Sequence, residues 1–200
     1  MKRIILLGPI LFATVLTALT IIQYDFMRGL GWHPLNAPTF DWPSGLALGS
    51  YGIVMTATFI LSGLIMFLFA LRLKSDLKPA LASQAGSALL ALSGLALAAL
   101  AFTTDPTTLA DTTPATWHGR LHDLSFVLLG LTLLPAMLIL GKAFQGDPRW
   151  RGYGIYTWLT AAFAIPAFII KGAAFYVFLF SVLLWNEIIS WRLNKAGEGN

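Results

Sequence analysis

The sequence predicts an all-α integral membrane protein: one membrane domain over residues 1–200, with six transmembrane helices. Three observations predict it. Of the 200 residues, 57% are hydrophobic and 11% are charged, whereas roughly a quarter of the residues in a soluble domain are charged. The apolar residues form runs of about 20, the length with which a helix crosses roughly 30 Å of hydrocarbon. Basic residues flank these runs mainly on one side, as expected for the cytoplasmic side of a membrane protein.

The first three apolar runs predict helices at residues 4–24, 46–73 and 82–102. Lys2 and Arg3 before the first run could open a signal peptide. The run is long for that purpose and offers no clear small-residue cleavage site, so we expect it to remain as a span. The third run is rich in Ala, Gly and Ser, which favours close packing against neighbouring helices in lipid.

The fourth predicted helix has a clear start signal. Thr113 can cap a helix through its hydroxyl, and Pro114 suits the first helical position. Two further apolar runs are separated only by a tight turn at Lys171 and Gly172. We therefore predict helices at residues 114–144, 153–170 and 173–193.

The distribution of basic residues predicts that both termini lie in the cytoplasm. With six spans and the N-terminus inside, ten of the 13 basic residues fall on the cytoplasmic side. This is a strong positive-inside bias. The cytoplasmic set is Lys2, Arg3, Arg72, Lys74, Lys78, Lys142, Arg149, Arg151, Arg192 and Lys195, and the outer set is Arg28, Arg120 and Lys171.

Several classes of function are excluded by composition and motifs. The chain contains no cysteine, which excludes disulfides, thiolate metal sites and cysteine nucleophiles. The pI of about 9.6 could indicate a nucleic-acid partner. The basic residues lie at the ends of apolar runs, however, so we expect no nucleic-acid binding. The sequence has neither a Gly-rich phosphate loop nor a Gly-x-Ser-x-Gly elbow.

Residues that could support chemistry gather on the predicted outer side, most densely at residues 118–123. His118 and His122 are four residues apart and therefore share one face of a helix. Two imidazoles at this spacing can chelate zinc or another divalent metal. A third ligand could come from His33, Asp105 or Asp41.

The same cluster has two other interpretations. Arg120 could pair with Asp105 or Asp123 and clamp the two outer loops together, a purely structural role. Alternatively, the cluster could bind a lipid or a small ligand. In that case the candidate binding residues are Asp105, Trp117, His118, Arg120, His122 and Asp123.

Two groups of residues give the chain a resemblance to a known family. Residues 43–52, leading into 59–64, resemble the start of the second span in a bacterial family of six-span proteins called domain of unknown function 998. An Asp-Pro at 105–106, followed by His-Gly-x-x-His at 118–122, resembles its other hallmark. The resemblance covers about residues 4–193. It implies six helices, the bacterial cytoplasmic (inner) membrane and no assigned reaction, and it directs attention to Asp105, His118, Gly119 and His122.

Three functional hypotheses follow, and the first is favoured. The protein binds a lipid or amphiphile, or docks to another membrane protein or a second copy of itself, without catalysis. Alternatively, it is a metal-dependent hydrolase or transferase acting on lipid head groups at the outer leaflet. There Asp123 would orient a ligand imidazole and Arg120 would hold a phosphate. A small-molecule transporter is the third and weakest hypothesis.

Overall fold

Every regular element in the described part of the chain is helical, which confirms the all-α prediction. A computed structural model describes residues 3–35, 42–106, 114–169 and 172–196. Two short 3-10 segments, Ser44–Leu48 and Pro148–Trp150, accompany the α-helices. The helices are α1 (Ile4–Ile22), α2 (Tyr24–Gly29), α3 (Gly52–Asp76), α4 (Leu81–Ala99), α5 (Trp117–Gly146), α6 (Tyr153–Ala162), α7 (Ala164–Ile169) and α8 (Ala173–Ala196).

Five of the described helices are long and apolar enough to cross a membrane: α1, α3, α4, α5 and α8. Their outer surfaces are apolar as well, since side chains such as Ile53 and Leu131 are 77% and 65% exposed. In water such surfaces would be unfavourable, whereas in lipid they are solvated. The chain is therefore a membrane protein, as its composition predicted.

The predicted span at 153–170 is interrupted. α6 ends at Ala162 and α7 begins at Ala164, with a turn at Phe163 between them. The interruption has a local cause, because Pro166 has no N–H to donate to the carbonyl of Ala162 and its ring crowds that carbonyl. At the turn, the amide of Phe163 donates to the carbonyl of Thr160, three residues earlier, at 3.2 Å.

Helix α5 begins later than expected. Pro114 precedes the helix, and Thr113 lies outside the described residues. The N-cap is Thr116, whose hydroxyl oxygen accepts a hydrogen bond from the amide of Gly119 at 3.1 Å. The start is shifted because Asp105 holds Thr116, as described below.

Close packing of α3 against α4 depends on small residues, as the composition of the third span predicted. A Cβ atom on Gly94 would lie 2.6 Å from the amide nitrogen of Phe67 in α3. A Cβ atom on Gly63 would meet the amide nitrogen of Ala98 in α4. Glycine at both positions therefore allows the two backbones to approach closely, which favours helix association in lipid.

Polar side chains gather at opposite ends of the helical bundle. At the arginine end, which we define by Arg149 and Arg192, a guanidinium N–H of Arg149 donates to the carbonyl of Asp76 at 2.6 Å. The histidine end is defined by His118 and His122 and includes the end of α4, the Ser44–Leu48 segment and the start of α8. There Trp32 donates its indole N–H to the hydroxyl of Tyr176 in α8 at 3.0 Å.

Candidate functional site

His122 is held in one orientation by three hydrogen-bond partners. Its Nδ1 lies 2.7 Å from the carbonyl oxygen of Phe102 and 3.1 Å from that of Leu100, and its Nε2 lies 2.9 Å from Ser44 Oγ. A carbonyl oxygen can only accept, so Nδ1 carries the ring hydrogen. In the neutral ring, Nε2 then has a free lone pair and accepts from the Ser44 hydroxyl. The side chain is only 4% exposed, so these partners replace water.

The backbone around Ser44 is fixed by Gln23, a buried amide just after α1. The side-chain nitrogen of Gln23 donates to the carbonyl of Leu46 at 3.0 Å, and its oxygen accepts from the amide of Tyr51 at 3.2 Å. Both partners belong to the stretch between Ser44 and α3. Gln23 therefore attaches the serine-bearing segment to α1, a role that sequence reasoning missed. The one available signal was a lone amide at the end of an apolar run.

Asp105 forms a structural clamp at the start of α5. Its carboxylate accepts the Thr116 hydroxyl at 2.6 Å and the Thr116 amide at 2.8 Å. These two hydrogen bonds, the hydroxyl's first, lower the pKa of Asp105 because they favour the charged carboxylate. A Cβ atom on Gly119 would meet this carboxylate, so only glycine fits there. His118 joins the clamp through Nδ1, which lies 2.9 Å from the carbonyl of Thr103.

The clamp uses a different partner from the one expected. Within the described residues, no ion pair joins Arg120 to Asp105 or Asp123, and Arg120 is exposed. Trp117 is 68% exposed and packs edge-on against Phe102 at a ring distance of 6.0 Å. A hydroxyl and an amide, rather than a guanidinium, therefore hold the segment after α4 to α5.

The candidate metal ligands do not form a group in the described part of the chain. Its His, Asp and Glu side chains include no set of three that could hold one ion. His33 is half-buried, and Asp41 lies outside the described residues. Both nitrogens of His122 already have protein partners. A zinc site formed by His118, His122 and His33 or Asp105 stays a prediction.

A cavity of about 350 Å³ lies beside Ser44 and His122. Its polar wall also includes Thr104 and Asp123. Of the six candidate binding residues, the structure therefore brings His122 and Asp123 to the cavity and leaves Asp105, Trp117, His118 and Arg120 outside its lining. The rest of the lining is apolar and includes Phe12, Trp42, Phe59, Leu97, Leu100 and Phe175.

A second cavity of about 380 Å³ lies next to the first, between α5 and α8. Its lining contains only apolar residues, among them Leu131, whose exposure places this cavity at the lipid-facing surface. The two cavities are neighbours, so the polar wall at Ser44 and His122 lies close to an apolar surface between α5 and α8. The residues that line both are Phe126, Leu129, Phe175 and Leu179.

Comparison with known protein families gives a match over most of the chain. A family model described as "Protein of unknown function (DUF998)" matches residues 8–192. No curated protein and no solved structure matches the chain. The matched range includes both sequence segments noted above, and the structure brings them together, since Ser44 belongs to the first and His122 to the second.

Proposed function

The chain belongs to the DUF998 family, proteins of unknown function, and we propose that it binds a membrane lipid or similar amphiphile at the histidine end. The observation that carries this proposal is the pair of neighbouring cavities, polar at Ser44, His122 and Asp123 and apolar between α5 and α8. A lipid has the same division into a polar head and an apolar tail.

The polar wall of the first cavity selects the lipid through its head group. Lipid tails are as apolar as leucine, so a tail gains little free energy when it moves from the bilayer into the α5–α8 groove. Preference must then come from the head, where hydrogen bonds form in a partly dehydrated site. The carboxylate of Asp123 lines this wall, where it repels a head group of net negative charge and attracts the ammonium group of a zwitterionic one. The site therefore favours a neutral or zwitterionic head, with ester or hydroxyl oxygens near Ser44.

We further propose six crossings of the bacterial cytoplasmic membrane, with both termini in the cytoplasm. α5 ends at the arginine end, where Arg149 contacts Asp76, and α8 begins at the histidine end, where Tyr176 contacts Trp32. The chain between them, α6 and α7, has to return across the bundle, which supports a sixth, interrupted span. The positive-inside bias supports placing the arginine end in the cytoplasm.

Native mass spectrometry of delipidated protein tests lipid binding. We expect the protein to retain one added molecule of a dialkyl ether phosphatidylethanolamine, a lipid without carboxylic ester bonds, in mild detergent. Leu129, which lines both cavities, and Leu128, which lines neither, provide a matched pair. Leu129→Trp should fill the site and reduce lipid occupancy by about tenfold, whereas Leu128→Trp, on the exposed face, should bind like the wild type.

Leu129→Phe serves as a milder variant if the tryptophan destabilises the protein. Equal lipid retention by correctly folded Leu129 and Leu128 variants, or no retention by the wild type, would contradict the proposal. Plasma mass spectrometry of the same samples tests the zinc prediction separately, with His118→Ala/His122→Ala as the matched variant. One equivalent of zinc that is lost in this variant would support the metal site.

A further inference from the structure

We infer that Ser44 and His122 are a nucleophile and its general base, and that they cleave a carboxylic ester bond of the bound lipid. This inference rests on the proposed lipid binding. It rests equally on the geometry of two side chains that come from segments 78 positions apart in the sequence.

The pair has the arrangement that activates a serine. Nucleophile and base must lie within hydrogen-bond reach, and a third group must orient the base. Ser44 Oγ is 2.9 Å from Nε2 of His122, and the carbonyls of Leu100 and Phe102 hold Nδ1–H. These carbonyls take the place that a carboxylate occupies in a Ser-His-Asp triad. Leu100 also caps the C-terminal end of α4, where the helix dipole favours the imidazolium that forms during reaction.

A buried serine on the same helix as His122 shows what a purely structural serine does. Ser125, on α5, donates to the carbonyl of Leu121 four residues earlier, at 2.7 Å. That local bond satisfies the hydroxyl within its own helix. Ser44 makes a long-range bond to a ring nitrogen instead, and both Ser44 and His122 line the cavity. A bound molecule can therefore reach the pair. A contact with only a structural role would not need to line a cavity.

The reaction has two balanced steps. In the first, Ser44 Oγ attacks the ester carbonyl carbon while its proton passes to Nε2 of His122. The bond from that carbon to the alkoxy oxygen breaks, and the alcohol leaves with the proton from Nε2, so that an acyl-serine remains. In the second, water or another alcohol attacks the acyl carbon and loses its proton to Nε2. The bond to Ser44 Oγ then breaks, and Ser44 regains the proton.

The cavity assigns the substrate class. The ester carbonyl has to lie against Ser44, and the acyl chain can then follow the apolar wall that both cavities share, along Leu129 and Leu179 between α5 and α8. The leaving group faces the polar wall at Thr104 and Asp123. A neutral or zwitterionic glycerolipid with a long acyl chain fits both requirements.

A long-chain alkyl fluorophosphonate tests the pair directly, because an activated serine displaces its fluoride and keeps the phosphonyl group. The experiment uses purified full-length protein, with peptide mass mapping of the adduct. We expect the wild type to carry the adduct on Ser44, and the Ser44→Ala variant to carry none on that peptide. His122→Gln should react at least about 100-fold more slowly. Ser125→Ala should react like the wild type.

Diisopropyl fluorophosphate, which has no long chain, should react more slowly than the long-chain reagent because it does not use the apolar groove. Binding of a dialkyl ether phosphatidylethanolamine, which has no carboxylic ester to cleave, is measured on each variant in parallel, which separates the two proposals. If the wild type binds this lipid but gives no adduct on Ser44, the catalytic inference is overturned and lipid binding stands. An adduct that forms equally fast in a lipid-binding His122→Gln variant also overturns it. A wild type that binds no lipid contradicts the proposed function itself.

Discussion

The two polar ends of the bundle are built in different ways. At the arginine end, Arg149 donates to the Asp147 carboxylate through its amide, Nε and a terminal nitrogen, the last at 2.7 Å. A guanidinium N–H of Arg192 donates to the carbonyl of Arg149 at 2.9 Å. Arg192 also lies 5.4 Å from the ring centre of Trp150. These groups are partners of one another and join α3, α5 and α8.

At the histidine end, the chain of hydrogen bonds leads to a cavity. Gln23 fixes the segment that carries Ser44, two backbone carbonyls fix His122, and these two side chains meet at the cavity wall. The groups at the arginine end bond mainly to one another and therefore contribute mainly to stability, since removing one of them leaves another without its partner. A pair that faces a cavity is available to a ligand. Substitutions at the two ends should therefore have opposite consequences.

The largest expected effect is on reactivity at the histidine end. Ser44→Ala should reduce release of fatty acid from phosphatidylethanolamine by at least about 100-fold, because the nucleophile is lost. Stability should change by no more than about 1 kcal/mol, the typical net contribution of one hydrogen bond. Fatty-acid release in vesicles and thermal unfolding in detergent measure the two quantities. A large loss of stability with unchanged release of fatty acid would mean that Ser44 has a structural role and not a catalytic one.

Asp147→Ala should show the opposite behaviour. Asp147 is 1% exposed, and removing it takes away the partner of Arg149. Breaking a buried pair can cost about 3–5 kcal/mol, but the Arg149 side chain is 49% exposed and can be rehydrated. We therefore expect a loss of about 1–2 kcal/mol in thermal unfolding. Fluorophosphonate labelling of Ser44 should continue at the wild-type rate, and slower labelling would show that the two ends are coupled.

The sequence could predict those features that depend on local properties of the chain. Apolar runs locate helices because hydrophobic length is a local property, and the helical fold and membrane assignment were confirmed. The family resemblance was confirmed as well. Spacing placed His118 and His122 on one face of α5, and both direct Nδ1 to backbone carbonyls just after α4.

What sequence could not predict is which distant residues meet. Ser44 reaches His122 because Gln23 fixes its segment, and no spacing rule connects these three positions. The start of α5 was misplaced for a similar reason, since Asp105 selects Thr116 as N-cap through a contact across 11 positions. The helix predicted at residues 153–170 is broken into α6 and α7 before Pro166.

Gln23→Ala should show how far the catalytic geometry depends on its support. Without the amide, the carbonyl of Leu46 and the amide of Tyr51 lose their partner, and the Ser44 segment becomes free to move. Misplacing a reacting group lowers rate steeply, so we expect Ser44 to be labelled about tenfold more slowly. Gln84→Ala, at an exposed position on α4, is the matched control and should have no effect. Equal rates for both variants would mean that Gln23 only contributes packing.

The smallest expected effect is a difference between the two ends in acid. Hydrogen bonds from Arg149 lower the pKa of Asp147, and those from Thr116 lower the pKa of Asp105. A lowered pKa in the folded state means that each carboxylate stabilises the fold above the unfolded value of about 3.9. This stabilisation is lost as pH falls through the lower folded value. Thermal unfolding between about pH 5 and pH 3 should therefore show a declining midpoint.

The two aspartates should contribute unequally to that decline. Protonating Asp147 removes an ion pair as well as hydrogen bonds, whereas Asp105 is held mainly by the neutral Thr116, with a smaller electrostatic contribution from His118, and remains partly exposed. Asp147→Asn should therefore flatten the pH dependence of the unfolding midpoint more than Asp105→Asn does. If Asp105→Asn flattened it as much, the clamp at the start of α5 would be as important for stability as the arginine end. The histidine end would then combine a structural and a ligand-binding role within two turns of one helix.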